Sequence, residues 1–258
     1  MLGLLLLASC LWLGHGEVVK SFANCPQFFY RNTTPGNALQ PQNPAWICQC
    51  YKNLYHFATL YDRKMSVPVY SAYIYQPGPG RRSKSWLVEP QLINPTYHKD
   101  MDTESSIANQ YRITPQQIGQ SQAINQDYNK LKDLDCGHLS PSGHQSGNNS
   151  KWATFTLTNR VPQNSTLNKG QWKDYENQTM AQKTPGCKSP YMIMGAVPGN
   201  NYISKKRVNV PSHIWSAACC QTNTSMNTWV VIAENNKNQI QNLTLAQLET
   251  HLRARALH

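Results

Sequence analysis

The chain has 258 residues, of which 40% are hydrophobic and only 14% are charged, and this composition excludes wholesale disorder. Lysine and arginine number 24 against 13 aspartate and glutamate residues, so the formal net charge is +11. A basic excess of this size favours polyanionic partners such as nucleic acid, heparin-like glycans or anionic membranes.

The first sixteen residues have the pattern of a secretory signal peptide. A leucine run is followed by Gly14 and Gly16, small residues at the −3 and −1 positions of a cleavage site before Glu17. No later stretch approaches the roughly 20 apolar residues that a membrane span requires. We therefore expect a secreted, extracellular protein without a membrane anchor, in which residues 17–258 form a single domain.

The hydrophobic pattern predicts a mixture of strands and helices. Two strands are predicted between Phe57 and Tyr75, a polar helix from Gln116 to Leu131, and a strand from Trp152 to Thr158. The later predicted elements are a helix from Leu167 to Met180, buried strands at Tyr191–Val197 and Thr228–Ala233, and a helix that starts at Thr244, packs through Leu245 and Leu248, and leaves a frayed tail at 253–258.

Cysteine usage predicts disulfides, the default in an oxidising compartment. Seven cysteines follow the signal peptide: Cys25, Cys48, Cys50, Cys136, Cys187, Cys219 and Cys220. The preferred pairs are Cys25 with Cys48, and Cys187 with either Cys219 or Cys220. The last two would point to opposite faces of a strand, so they are expected to have different partners. One cysteine stays odd, either free or intermolecular.

Six Asn-x-Ser/Thr sequons predict a glycosylated surface. They lie at Asn32, Asn148, Asn164, Asn177, Asn223 and Asn242. Three of them, Asn148, Asn164 and Asn177, flank the candidate site described next, where glycans would narrow the access of a bulky duplex.

The segment Asp135-Cys-Gly-His138 precedes two oxygen-bearing side chains, Asn168 and Glu176, that are eight residues apart. On one helix this spacing would place both within about 40° of the same face. Oxygen ligands opposed by an imidazole suit Mg²⁺, and His138 could instead take the proton from a water that attacks a phosphate. The alternative is a turn histidine and a helix N-cap at Asn168.

Several ordered motifs resemble the DNA/RNA non-specific endonucleases, the ββα-metal (His-Me finger) nucleases with the signature Asp-Arg-Gly-His. Besides Asp135–His138, Asn168, Trp172 and Glu176, the run from Thr154 to Gln163 carries this resemblance. The similarity is closer to the endonuclease domain-containing 1 branch, through Phe28–Tyr30, Phe57–Tyr61, Val67–Tyr73, Trp86–Pro90 and Ser216–Cys220. It extends from about Cys25 to about Leu252.

The resemblance implies an α+β, disulfide-stabilised fold with a mostly antiparallel central sheet flanked by helices. It also implies hydrolysis of DNA and RNA phosphodiesters through contacts with the backbone. His138 would be the general base and Asn168 the protein ligand of one Mg²⁺, for which Mn²⁺ could substitute. Glu176 would bind at the same metal by holding one of its waters.

Further roles follow from family positions. Asn159 and Gln163 match residues that support the site or contact substrate. Lys84 stands two residues before Trp86, where the family has an arginine that reaches the scissile phosphate, so Lys84 is expected to be catalytic. Two neighbouring cations, Arg81 and Arg82, are expected to bind substrate with it. Lysine supplies the charge without the bidentate fork of arginine.

Cys136 departs from the family signature, which has arginine there. Loss of such an electrostatic contact can lower a rate by about 10²–10³. One alternative is therefore a weak or inactive relative that binds nucleic acid or another polyanion. Another is a cysteine hydrolase using Cys136 with His138, which the oxidising compartment disfavours. A disulfide between Cys50 and Cys136 is a third hypothesis, in which the arginine position has become a covalent link.

Overall fold

The computed structural model describes residues 17–256, and the predicted signal peptide lies outside the described residues. Fourteen strands occur in this range: β1 (Val18–Val19), β2 (Pro44–Tyr51), β3 (Leu54–Asp62), β4 (Val67–Ile74), β5 (Leu87–Val88), β6 (Asp102–Thr103), β7 (Leu134–His138), β8 (Arg160–Asn164), β9 (Pro190–Val197), β10 (Asn201–Ile203), β11 (Val208–Val210), β12 (His213–Gln221), β13 (Met226–Glu234) and β14 (Gln241–Leu243). The strands predicted around Phe57–Tyr75, Tyr191–Val197 and Thr228–Ala233 are confirmed.

Eight of these strands form one sheet in the order β1-β2-β3-β4-β9-β12-β13-β14, with every neighbouring pair antiparallel. Side chains alternate between its two faces, as the strand geometry requires. Phe57 and Tyr73 belong to the core on one face, and Tyr70 and Trp215 to the core on the other. The first face carries the short β7–β8 pair and most of the helices, so the predicted α+β class is confirmed.

The α-helices are short, apart from two. They are α1 (Pro90–Ile93), α2 (Glu104–Tyr111), α3 (Pro115–Ile118), α4 (Asn148–Ala153), α5 (Ser165–Lys169), α6 (Gln171–Asp174), α7 (Met180–Lys183) and α8 (Leu245–Ala256). None of the helices in the described range is long and apolar enough to cross a bilayer. On α8, Leu248 is buried as predicted, whereas Leu245 is 49% exposed and does not pack the helix. The predicted tail is helical as far as Ala256.

The prediction of one helix from Leu167 to Met180 is wrong, because the backbone breaks at Gly170 (φ −104°, ψ −120°). A Cβ there would lie 2.4 Å from Asn238 Oδ1 and 2.6 Å from the Thr166 carbonyl oxygen, so only glycine fits. After the break, α6 continues through a π-helical turn, Tyr175–Thr179, into α7. Asn168 and Glu176 therefore lie on different helical segments.

Two other predicted elements are also wrong. The polar helix expected from Gln116 stops at Ile118, and a 3-10 turn at Asn125–Tyr128 follows. Arg207 lies against this segment and donates to the Gly119 carbonyl at 2.7 Å. This carbonyl would accept from a backbone amide if the helix were longer. The expected strand at Trp152–Thr158 is the end of α4 followed by a 3-10 turn. Two of its alternating threonines, Thr156 and Thr158, donate to the Glu89 carboxylate across the core.

Two disulfides join cysteines as the sequence suggested. Cys25 bonds to Cys48, and Cys187 bonds to Cys220 rather than to Cys219. The hypothesis of a bridge between Cys50 and Cys136 is wrong, since both thiols are free. Cys50 is buried, and its sulfur lies 3.0 Å from Asp100 Oδ1.

A pair of carboxyl groups, Glu17 and Glu89, is fully buried where β1 meets the start of α1. Glu17 accepts from the Cys50 amide at 3.2 Å, and Glu89 accepts from the hydroxyls of Thr158 and Thr156 at 3.0 and 3.1 Å. Burial, together with the neighbouring Glu89 carboxylate, holds the pKa of Glu17 well above its ordinary value. Burial also raises the pKa of Glu89. Burial of the pair therefore favours the protonated form of these carboxyl groups.

We expect Glu89→Gln to reduce the loss of stability at alkaline pH. When the carboxyl pKa is raised in the folded state, the folded protein keeps a proton at pH values where the unfolded chain has already released it. The free energy of unfolding is therefore highest at acid pH and falls as pH rises towards the folded pKa. Urea unfolding at pH 5 and pH 9 measures the difference, with the exposed Glu249→Gln as the matched control. Equal pH dependence in wild type and Glu89→Gln would contradict this account.

Candidate active site

The candidate site is built on the β7–β8 pair and on α5, which follows directly. Across the ladder Asp135 pairs with Gln163 and His138 with Arg160. Asn164 starts α5 by accepting from the amides of Thr166 and Leu167. A cavity of about 360 Å³ opens beside this unit. It is lined by Arg82, Cys136, His138, Pro141, Ser142, Gly143, His144, Lys151, Asn168, Lys173, Glu176 and Asn177.

His138 ends β7 and lies between two aromatic rings. Its ring centroid is 5.0 Å from that of Trp86 and 4.8 Å from that of Phe155, the latter edge to face. Nε2 is buried and has no hydrogen-bond partner, and the residue lines the cavity. Burial, and then the charges of Arg82 and Arg160, lower the pKa of His138 to about 3. The ring is therefore neutral throughout the physiological pH range.

Asp135 fixes the orientation of the Asn168 amide. Its carboxylate accepts from Asn168 Nδ2 at 3.1 Å, from Ser165 Oγ at 2.9 Å and from Lys169 Nζ at 3.1 Å. These contacts lower the pKa of Asp135, against a small opposing effect of burial. Because the amide nitrogen is committed to Asp135, Asn168 Oδ1 is left as the acceptor facing the cavity.

Glu176 lies in the same cavity, on the π-helical turn beyond the break at Gly170. Burial raises its pKa to about 8, although the nearby Trp172 indole and the charge of Arg82 act in the opposite direction. The carboxyl group is therefore largely protonated at neutral pH. A cation placed beside it would displace that proton.

His144 connects Glu176 to the central sheet. Its Nε2 lies 2.8 Å from the Glu176 carbonyl oxygen and its Nδ1 lies 2.8 Å from the Tyr73 hydroxyl. Since a carbonyl can only accept, Nε2 donates to it and Nδ1 accepts from Tyr73. Burial is the main cause that lowers the pKa of His144 to about 4. Through these two hydrogen bonds, the neutral His144 ring links the π-helical turn to Tyr73 on β4.

The structure brings one of the three predicted basic side chains to the cavity. Arg82 lines it, and its guanidinium carbon lies 5.3 Å from the centre of the Phe155 ring. Lys84 lies over a separate depression formed with Thr103 and Ser105, and its catalytic role stays a prediction. Arg81 contacts Asn148 through its backbone amide and does not line the cavity.

Asn159 and Gln163 also lie outside the cavity. Asn159 is completely buried, and its side chain makes four hydrogen bonds, two of them to Ser140, which immediately precedes the cavity wall. Gln163 packs against Gly137, where a Cβ would lie 2.2 Å from its Oε1. Asn159 therefore supports the wall and Gln163 requires glycine before His138. Neither is positioned to contact substrate.

Arg160 is a charged residue near the site that the sequence motifs did not predict. It is buried, and its guanidinium stacks 4.3 Å from the Trp86 ring centre and 3.7 Å from that of Tyr128. The same group donates to the sulfur of Cys136. Arg160 on β8 thus places a positive charge next to Cys136 on β7. Its place opposite His138 in the ladder could have been predicted if β8 had been assigned to 160–164.

The donors present fit a single hydrated Mg²⁺ and not a metal cage. Among residues 17–256 no group of three His, Cys, Asp or Glu side chains could hold a metal on its own. The Asn168 amide oxygen, freed by Asp135, and the Glu176 carboxyl group line the same cavity. Mg²⁺ usually keeps several waters and takes only one or two protein ligands. The Asn168 amide oxygen and the Glu176 carboxyl group therefore match the type and number of ligands that Mg²⁺ requires.

A family model for DNA/RNA non-specific endonucleases matches residues 20–254, which include the whole of this site. The chain belongs to that family. Human Endonuclease domain-containing 1 protein is 35% identical over 210 residues, 80% of this chain and 40% of that protein. The mouse protein of the same name is 33% identical over 205 residues, 77% of this chain and 39% of that protein. The chain thus spans about 40% of the length of these relatives.

A solved structure supports the fold of this family member. The EndoG chain in the EndoG/EndoGI complex aligns with a TM-score of 0.53 at 16% identity, covering 77% of this chain and 82% of that chain. The predicted ββα-metal endonuclease fold is confirmed by this likeness.

We expect Mg²⁺ binding by this endonuclease-family chain to release about one proton at pH 7, because Glu176 is protonated without metal and ionised beside it. Affinity should therefore rise up to tenfold per pH unit below pH 8 and level off above it. Titration calorimetry in two buffers of different ionisation enthalpy measures the proton count. In Glu176→Gln the release should vanish. A count near zero in wild type would contradict the assignment.

Proposed function

We propose that this chain is a secreted, Mg²⁺-dependent endonuclease that hydrolyses phosphodiester bonds of DNA and RNA. The observation that carries the proposal is the convergence of His138, Asn168 and Glu176 on one cavity that also contains the Arg82 guanidinium. Membership of the endonuclease family and the +11 net charge support a polyanionic substrate. The two disulfides are consistent with an oxidising compartment and support the proposed secretion.

In this mechanism the His138 imidazole takes a proton from the water that attacks phosphorus. The low pKa keeps the ring free to accept that proton but makes it a weak base. A phosphate bound beside Arg82 offsets one of the two positive charges that depress this pKa, so substrate binding raises the basicity of the ring.

Asn168 and Glu176 would hold the Mg²⁺, Asn168 through Oδ1 and Glu176 through its ionised carboxylate or a bound water. When bound, the metal supplies charge stabilisation for the leaving oxygen. His144 acts at a distance from the reaction by fixing the backbone of Glu176. The site would contact only the phosphate backbone of the nucleic acid, which carries no sequence information. We therefore expect little sequence preference.

The test is digestion of supercoiled plasmid and of structured RNA by the purified chain. Cleavage of both with Mg²⁺ or Mn²⁺, and none with chelator, supports the proposal. Inhibition by a thiol alkylator without inhibition by chelator would instead indicate a cysteine hydrolase. Complete inactivity towards both nucleic acids under all metal conditions would overturn the endonuclease assignment.

A second candidate is a binding protein with little or no turnover. The observation that favours it is Cys136, a neutral residue in the cavity where Arg160 reaches the thiol rather than the open space. Retarded migration of nucleic acid in a native gel, with no cleavage in the presence of Mg²⁺, would support this candidate.

A further inference from the structure

Lys151 is a buried cation in the cavity that the proposed mechanism does not use. Only 7% of its surface is exposed, yet it lines the cavity. Its ammonium has three donors, and one of them bonds to the Ser142 carbonyl at 3.0 Å. None of the ion pairs among the described residues includes Lys151. A buried cation without a counter-anion is unfavourable, because burial removes its hydration.

The local structure holds the ammonium of Lys151 in the cavity. The residue lies on α4, where the Thr154 hydroxyl donates to its carbonyl at 2.7 Å. Its stem passes close to Gly80, which has a φ of +135° and would place a Cβ 2.9 Å from Lys151 Cδ. Glycine at this turn therefore provides the space that the buried stem occupies.

Lys151 and Arg82 act on different parts of the cavity. Lys151 Nζ bonds to the Ser142 carbonyl. The Arg82 guanidinium instead lies 5.3 Å from the centre of the Phe155 ring, and that ring packs against His138. One cation therefore lies beside the general base, and the other lies at the Ser142 turn.

We propose that Lys151 binds a phosphate adjacent to the scissile phosphate, so that the site recognises a chain with at least two phosphates. A phosphate oxygen supplies the counter-charge that the buried ammonium lacks, and it fixes the register of the chain without reading its sequence. This inference rests on the proposed nuclease function and adds a second phosphate subsite to it.

The test measures binding without cleavage, by fluorescence anisotropy of a labelled oligothymidylate in the presence of chelator. Lys151→Met should weaken binding by roughly 10- to 100-fold, the effect of one charge-assisted hydrogen bond. It should also lower the slope of log K against log salt by about 0.7, one phosphate contact on a single strand. Lys151→Arg should keep the wild-type slope. The exposed Lys188→Met, with the same change in net charge, should leave both values unchanged.

An unchanged slope in Lys151→Met would overturn the subsite. Equal weakening by Lys188→Met would likewise assign the effect to overall charge. Melting temperatures of all variants separate lost binding from lost folding, and Lys151→Arg keeps the test valid if the methionine variant unfolds. Because no cleavage is needed, an inactive wild type would overturn the proposed function while the binding series still decides the role of Lys151.

Discussion

Replacing His138 by Ala or Gln is expected to lower Mg²⁺-dependent cleavage of plasmid and RNA by about 10²–10⁴-fold, the usual contribution of a positioned general base. Binding of nucleic acid in the presence of chelator should change little, because Arg82 and the other cations remain. The measurement is initial cleavage rate at saturating Mg²⁺, with near-ultraviolet circular dichroism to confirm the fold. His251→Ala on α8, remote from the cavity, is the matched control.

The His138 variants should also differ from wild type in acid. The unfolded chain protonates this histidine below its ordinary pKa of 6.5, whereas the folded state resists protonation down to about pH 3. Wild-type stability therefore falls as pH drops through this window, and His138→Gln should lose less of it. A variant that cleaves at the wild-type rate would eliminate His138 as the base, and an unchanged acid profile would contradict the neutral state of its ring in the folded protein.

Asn168→Ala is expected to weaken Mg²⁺ binding by at least 10- to 100-fold, since even outer ligands of a metal commonly contribute that much. Cleavage at limiting Mg²⁺ should fall in parallel and recover partly as Mg²⁺ is raised. Calorimetric titration with Mg²⁺ measures the affinity directly, without substrate. Asn200→Ala, an exposed amide on a distant turn, controls for the loss of an asparagine.

The contact between Asp135 and the Asn168 amide allows a second test of the same metal ligand. Asp135→Asn keeps the size of the side chain but removes the charge that holds the Asn168 amide and Lys169. Its effect on Mg²⁺ affinity should have the same sign as that of Asn168→Ala and be smaller. Metal affinity that is indifferent to both substitutions would place the Mg²⁺ elsewhere in the chain.

Local sequence patterns were sufficient for the parts of the fold that depend on neighbouring residues. A segment rich in tyrosine, valine and threonine predicted β3 and β4, and short apolar runs predicted β9 and β13 as buried strands. The pair Cys25–Cys48 was also predicted, as was Cys187 with one of two adjacent cysteines. The sequence alone further identified His138, Asn168 and Glu176, and the structure brings these three to one cavity.

The tertiary structure decided which other side chains reach that cavity. Arg82 rather than Lys84 lines it, because the turn before β5 packs Arg82 against Phe155. The thiol of Cys136 meets Arg160 and not Cys50, through a strand pairing that no local pattern predicted. The break at Gly170 is set by Asn238, 68 residues later in the sequence, so helical spacing alone gave the wrong geometry for Asn168 and Glu176. Such contacts between distant segments depend on packing, and the periodicity of one segment carries no information about them.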